Sequence, residues 1–176
     1  KPLTFTRLVK NYYLYKYFKS ISNLSGNILE VGVFKGFSGY LLKRFEDVFN
    51  LNNKQDHLFL VDSFEGLSKI KKEDFVLDQK IFQHQKGHFK VDYIDVENLF
   101  QKIENVNLIK GWIPNIFDCL DEKNLYKFVH IDVDLYEPTI STPDYIFDKI
   151  VPGGIIITDD FVSQYFPSNQ IAWKEF

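Results

Sequence analysis

The chain is predicted to form a three-layer α/β domain around a doubly wound, mostly parallel sheet, and three observations carry that prediction. Five short apolar stretches alternate with segments of helical character along the chain. Three of the stretches, 28–31, 58–61 and 155–158, are apolar apart from Glu30 and Thr158, as strands covered on both faces require. The first runs into Gly32-Val33-Phe34-Lys35-Gly36-Phe37-Ser38, which reads as strand, tight loop and helix start, the opening unit of such a sheet.

Residues 4–22 are expected to be helical, with Leu8, Tyr12, Tyr15 and Lys19 along one face and Leu14, Phe18 and Ile21 along another. Lys10, Lys16 and Lys19 among four tyrosines, Tyr12, Tyr13, Tyr15 and Tyr17, admit a base-stacking surface. An aromatic helix packed on the domain edge or on a partner subunit is the better reading, because the chain as a whole carries a net charge of −3. In the loop after the first strand, Gly32 and Gly36 allow a sharp turn close to a ligand, and Ser38 can cap the helix that continues to Phe45. The spacing is not Gly-x-Gly-x-x-Gly, and Glu30 would repel a pyrophosphate. An acid there suits a cationic ligand, such as the amino group or sulfonium of S-adenosylmethionine (SAM). A tight strand-to-helix turn with no ligand explains the glycine pair equally well.

A polar loop, 51–56, leads to a second strand at 57–61 that ends in Asp62-Ser63. An acid at this tip is where a ribose is gripped through its hydroxyls; a plain turn residue is the alternative. Residues 68–104 are charged and irregular, containing His84 and His88 and a helix expected from Asp95 to Ile103. A third strand, Val106–Lys110, closes on Gly111-Trp112, and a short helix follows around Asn115–Leu120. The fourth strand, Lys127–Ile131, runs into Asp132, and a helix from about Ser141 to Ile150 is expected to break at Pro152-Gly153-Gly154. The fifth strand, Ile155–Thr158, ends in Asp159-Asp160. No linker divides residues 1–176: a helical segment, 1–26, precedes an α/β core, 27–176.

If the fourth and fifth strands pair in parallel, about 4.8 Å apart, Asp132, Asp159 and Asp160 converge at one edge of a pocket. Unpaired carboxylates so close would raise one another's pKa. A hard divalent cation resolves the conflict, and Mg²⁺ fits best; helix caps are the alternative for each acid taken singly. Asp134 and Glu137 lie further along the same loop and suit substrate hydroxyls. His130 is expected to face the opposite side, or the sheet, as a packed histidine.

Composition excludes several classes. Hydrophobic residues make up 45% of the chain, against disorder, and the single cysteine, Cys119, cannot form an internal disulfide. No apolar run reaches the roughly 18 residues of a membrane span, so the chain is expected to be cytoplasmic, without membrane or nucleic-acid partners. It lacks methionine, so it is expected to be a fragment.

Taken together, the ordered pieces Leu29–Gly36, Val61–Leu67, Gly111-Trp112, His130–Thr139 and Pro152–Asp160 resemble the macrocin O-methyltransferase family of SAM-dependent sugar methyltransferases. The resemblance implies a Rossmann-like methyltransferase fold. It places Glu30, Gly32, Gly36, Ser38, Asp62 and Ser63 in the SAM site, with Gly111 and Trp112 beside them, and makes Asp132, Asp159 and Asp160 the Mg²⁺ ligands. It further implies methyl transfer to a hydroxyl of a sugar or glycosylated small molecule. His88 is the first choice of general base and Asp134 the second. Family members end in an antiparallel strand pair that this sequence lacks, so the sheet edge is expected to be open or completed by a partner, which includes a homo-oligomer. A metal-dependent enzyme for catechol-like acceptors shares the same acids, and a non-catalytic SAM-binding module is a further alternative. A nicotinamide oxidoreductase is disfavoured by Glu30 and the missing glycine order.

Overall fold

A computed structural model describes residues 4–49, 55–74, 86–163 and 166–176. His84 and residues 51–54 of the polar loop lie outside these described residues. The first helix, α1 (Phe5–Ser20), is capped by the Thr4 hydroxyl, which accepts from the Arg7 N–H. It is held to the domain through Leu14 and Phe18, and the Phe18 ring packs 5.2 Å from that of Phe128.

Five parallel strands follow: β1 (Asn27–Val31), β2 (Leu58–Asp62), β3 (Val106–Lys110), β4 (Tyr126–Ile131) and β5 (Ile150–Thr158), in the order β3-β2-β1-β4-β5. Strands are added outward from β1 on one side, and then the chain returns to place β4 on the other. The reversal puts a switch point between β1 and β4, where a crevice opens beyond the strand ends. Among the described residues the sheet has no antiparallel member.

Alternation along the strands builds two cores, as a doubly wound sheet demands. Ile28, Leu58, Leu60 and Phe128 pack against α1, α2 (Phe37–Phe49) and α3 (Tyr93–Phe100). Leu29, Val31, Val61, Val129 and Ile131 face the turn at 115–119, α4 (Tyr136–Ile146) and Trp173 of α5 (Ser168–Glu175). Between the layers, the fully buried Lys127 ammonium pairs with Glu46 of α2 at 3.0 Å and with Asp56 at 2.8 Å.

Three boundaries differ from the sequence expectation. The fourth helix starts at Tyr136 rather than near Ser141 and closes at Ile146. The Pro152-Gly153-Gly154 run does not precede the last strand but lies inside it. The register shifts there from Tyr126↔Ile150 to Phe128↔Ile155, and an edge strand tolerates proline at such an irregularity. Helix α5 has no counterpart in the sequence reading. No helix among the described residues is long and apolar enough to cross a membrane.

Candidate active site

Backbone hydrogen bonds carry the sheet one residue past its strands and so fix the site's loops. The Gly32 N–H donates to Val61 O at 2.9 Å, Asp132 N–H to Val31 O at 2.9 Å, and Asp159 N–H to Ile131 O at 3.0 Å. Gly32, at φ +91°, passes so close to β4 that a Cβ there would lie 1.8 Å from the Asp132 carbonyl oxygen. Only glycine permits that approach. Asp62 then braces the loop: one carboxylate oxygen accepts from Val33 N–H at 2.8 Å and Phe34 N–H at 2.9 Å, the other from Phe64 N–H at 2.7 Å. Phe34 and Phe64 both stand at positive φ, 49° and 57°, a conformation bulky side chains rarely adopt unless the surroundings impose it.

The acids gather in two overlapping groups that share Asp132, with Asp159 in one and Asp160 in the other, instead of the single trio read from the strand ends. Ligand atoms of Asp132, Asp134 and Asp160 lie within 4.8 Å of one another, and so do those of His130, Asp132 and Asp159. Burial first, then the charge of Asp159, pushes the Asp132 carboxyl well above the usual carboxylate range. Asp134 is pushed up to about 9 by burial, by Asp132 and Asp160, and by a hydrogen bond to Asp160. It sits at φ 64°, and its carbonyl accepts from the Asn169 side chain of α5 at 2.7 Å. The Lys10 ammonium of α1 bonds Asp159. Burial alone would lower the lysine, but Asp159, with Asp132 and Asp160 behind it, raises it on balance.

His130 corrects the sequence reading. It stands two residues before Asp132, and residues two apart on a strand share a face, so it lines the same cavity as the acids instead of turning away. Its Nδ1 lies 2.9 Å from Glu30 Oε1, and both side chains are buried. Burial lowers the imidazole's pKa, yet the Glu30 carboxylate more than compensates and the net shift is upward.

These groups wall a cavity of about 710 Å³, within the range of small-molecule sites. Of the predicted site residues, Gly32, Ser38, Asp62, Ser63, Gly111, Trp112, Asp132, Asp134, Asp159 and Asp160 line it. The other three do not. Glu30 lies beneath the wall, on the same sheet face as its register partner His130, and faces that histidine and α2. Gly36 is a packing glycine whose added Cβ would meet the Phe100 ring at 2.9 Å. The exposed His88 ring stacks on Phe89, centroids 4.3 Å apart, and it is Phe89 that reaches the cavity. The sequence reading missed Arg7 and Lys10, which close the cavity from α1, and Asn169, which holds the Asp134 loop. Nothing in their local sequence marks them.

The donor set fits a divalent cation. It offers hard oxygens at short mutual distance, Asp132 and Asp134 carboxyls held high by burial and by their acidic neighbours, and a lysine ammonium already drawn onto Asp159. The cavity also fits a SAM-sized group, with the glycine loop, Ser63 and a half-exposed Trp112 along one wall.

The fold is that of the calicheamicin methyltransferase CalS11. The two superpose with a TM-score of 0.81 at 19% identity, covering 98% of this chain and 72% of that one. The family model for macrocin O-methyltransferase (TylF) matches residues 18–176, and the chain belongs to that family. It is similar to demethyldecarbamoylnovobiocin O-methyltransferase of Streptomyces niveus, 24% identical over 80% of this chain and 55% of the relative. It is also similar to the 8-demethyl-8-(2,3-dimethoxy-alpha-L-rhamnosyl)-tetracenomycin-C 4'-O-methyltransferase of Streptomyces olivaceus, 23% identical over 77% of this chain and 53% of the relative. The chain spans about half the length of these curated relatives.

Proposed function

We propose that this chain carries SAM- and divalent-cation-dependent methyl transfer to a hydroxyl of a sugar or glycosylated small molecule, with Mg²⁺ sufficient as the cation for turnover. One observation carries the reading: a braced glycine loop and a cluster of four aspartates open into a single cavity at the switch point of the sheet. Family membership and a relative whose name includes a rhamnosyl acceptor support the sugar class.

When bound, SAM supplies an electrophilic methyl group and the cation a Lewis acid that eases loss of the acceptor's hydroxyl proton. The chain's own residues bind, orient and accept. Gly32, Ser38, Asp62, Ser63, Gly111 and Trp112 form the wall assigned to SAM. Asp132, Asp159 and Asp160 would hold the cation. In our reading Asp134, ionised once a cation offsets the charge of Asp132 and Asp160 that holds its proton on, takes the hydroxyl proton on a carboxylate oxygen, because it lines the cavity beside those ligands whereas His88 does not. Leu14, Phe34 and Phe89 give the cavity apolar sides that exclude water from the reacting groups.

The test is turnover with a panel of glycosides and catechols, in EDTA and after Mg²⁺ is restored. Methylation of glycosides that EDTA abolishes and Mg²⁺ recovers is expected. Undiminished turnover in EDTA overturns the metal role, and exclusive use of catechols overturns the acceptor class.

A further inference from the structure

We propose that His130 is itself a ligand of the cation, so that the site combines a ring nitrogen with carboxylate oxygens and binds Mn²⁺ in preference to Mg²⁺. This rests on the metal role proposed above and adds a donor of a different chemical kind.

Four observations converge on it. His130 and Glu30 are register partners on β4 and β1, 2% and 0% exposed. Glu30 Oε1 takes the Nδ1 side of the imidazole at 2.9 Å, which leaves Nε2 as the nitrogen with a free lone pair. That Nε2 is buried and has no hydrogen-bond partner among the described residues. Finally, His130 lines the cavity, and its ligand atom lies within 4.8 Å of those of Asp132 and Asp159.

A histidine used only for packing would have both nitrogens satisfied or would sit among apolar groups. Here one nitrogen is tied to a buried carboxylate and the other is left bare, on a ring with a ligand atom within 4.8 Å of those of Asp132 and Asp159. A carboxylate that fixes the tautomer and orientation of an imidazole is the support usually found behind a metal-bound histidine. The alternation of β4 delivers the pair, because positions 130 and 132 project to the same side. The cation would lie between Nε2 and the acids and take over Asp159 from the Lys10 ammonium.

The donor set decides the metal. Carboxylates alone serve Mg²⁺ well, whereas imidazole favours transition ions over the alkaline earths. Mg²⁺ therefore binds through the carboxylate half, and Mn²⁺ through both halves.

The experiment loads the purified chain with Mn²⁺ and records three-pulse electron spin-echo modulation, beside titrations with Mn²⁺ and Mg²⁺. Modulation from a directly coordinated ¹⁴N is expected. So is an Mn²⁺ affinity exceeding that for Mg²⁺, by a ratio that His130→Gln lowers. Glu30→Gln is expected to weaken Mn²⁺ by about 10–100-fold while changing Mg²⁺ far less. Site-bound Mn²⁺, displaced in Asp159→Asn, that shows no nitrogen modulation overturns the His130 assignment and leaves the metal role standing. No divalent binding at all overturns both. The wild-type spectrum decides the question even where His130→Gln fails to fold.

Discussion

Asp62 shows how a residue's chemistry can be legible while its partners are not. An acid at the tip of the second strand is plain from the sequence, and it does line the cavity. The three backbone N–H groups it accepts from belong to Val33, Phe34 and Phe64, two of them from a loop about 30 residues away. Its first task is therefore to hold the glycine loop in a strained shape. Asp62→Ala is expected to lower stability by about 1–3 kcal/mol as well as weaken SAM binding, and urea unfolding beside calorimetry would register both. A variant that loses SAM affinity with unchanged stability would show that the carboxylate serves the ligand alone. His130 was misjudged for a simpler reason: its parity with Asp132 was assigned to the wrong face. Lys127 is the third residue whose meaning lies in distant partners. Its buried ammonium faces Glu46 and Asp56, and removing it takes the buried cation away from both. Lys127→Met is expected to cost about 3–5 kcal/mol in urea unfolding, partly regained when Glu46→Gln and Asp56→Asn are added.

At the scale of elements, the parallel strands were readable because short apolar runs ended in Gly32, Asp62, Gly111, Asp132 and Asp159. Helix α5 was not. Its first turn is entered from Pro167 without a side-chain cap, and it spans only Ser168–Glu175, too short for a clear period. Yet α5 organises the acid loop. Asn169 is 2% exposed and donates to the Asp134 carbonyl, while its Oδ1 accepts from the Thr139 hydroxyl of α4. Trp173 donates to the Thr158 hydroxyl at 3.0 Å and pins the helix to β5. Asn169→Ala is expected to destabilise the chain by about 1–3 kcal/mol. It should also lower turnover while leaving SAM affinity near its starting value, because the loop it frees carries Asp134 and not the glycine turn. Equal losses in both would place α5 in general support of the fold.

Across the whole molecule, the sheet order gathers at one end what the chain scatters from Lys10 to Asp160. Folding therefore crowds like charges that the unfolded chain keeps apart. A cation that binds only the folded state stabilises it by mass action, about 2.7 kcal/mol at a hundredfold excess over Kd. In a chain of this size that raises Tm by roughly 5–10 °C. Mg²⁺ is expected to produce such a rise in the wild-type chain and almost none in Asp159→Asn, as followed by scanning calorimetry. A shift of the same size in both would mean that the ion binds elsewhere.

The contact between Lys10 and Asp159 has a consequence for the first helix. On the proposed metal role, an ammonium tethered to α1 and an ion from solution would compete for one carboxylate, and the protein would carry its own inhibitor of metal loading, delivered at fixed local concentration. Linkage makes the competition reciprocal: whatever loosens α1 favours the ion, and the ion in turn loosens α1. Lys10→Gln is expected to raise divalent affinity by roughly two- to fivefold, the worth of a part-exposed ion pair. Calorimetric titration would measure that gain, and protease cleavage within α1 would report the helix coming away as the metal enters. An unchanged affinity in Lys10→Gln would mean that helix and ion occupy Asp159 together, one on each oxygen.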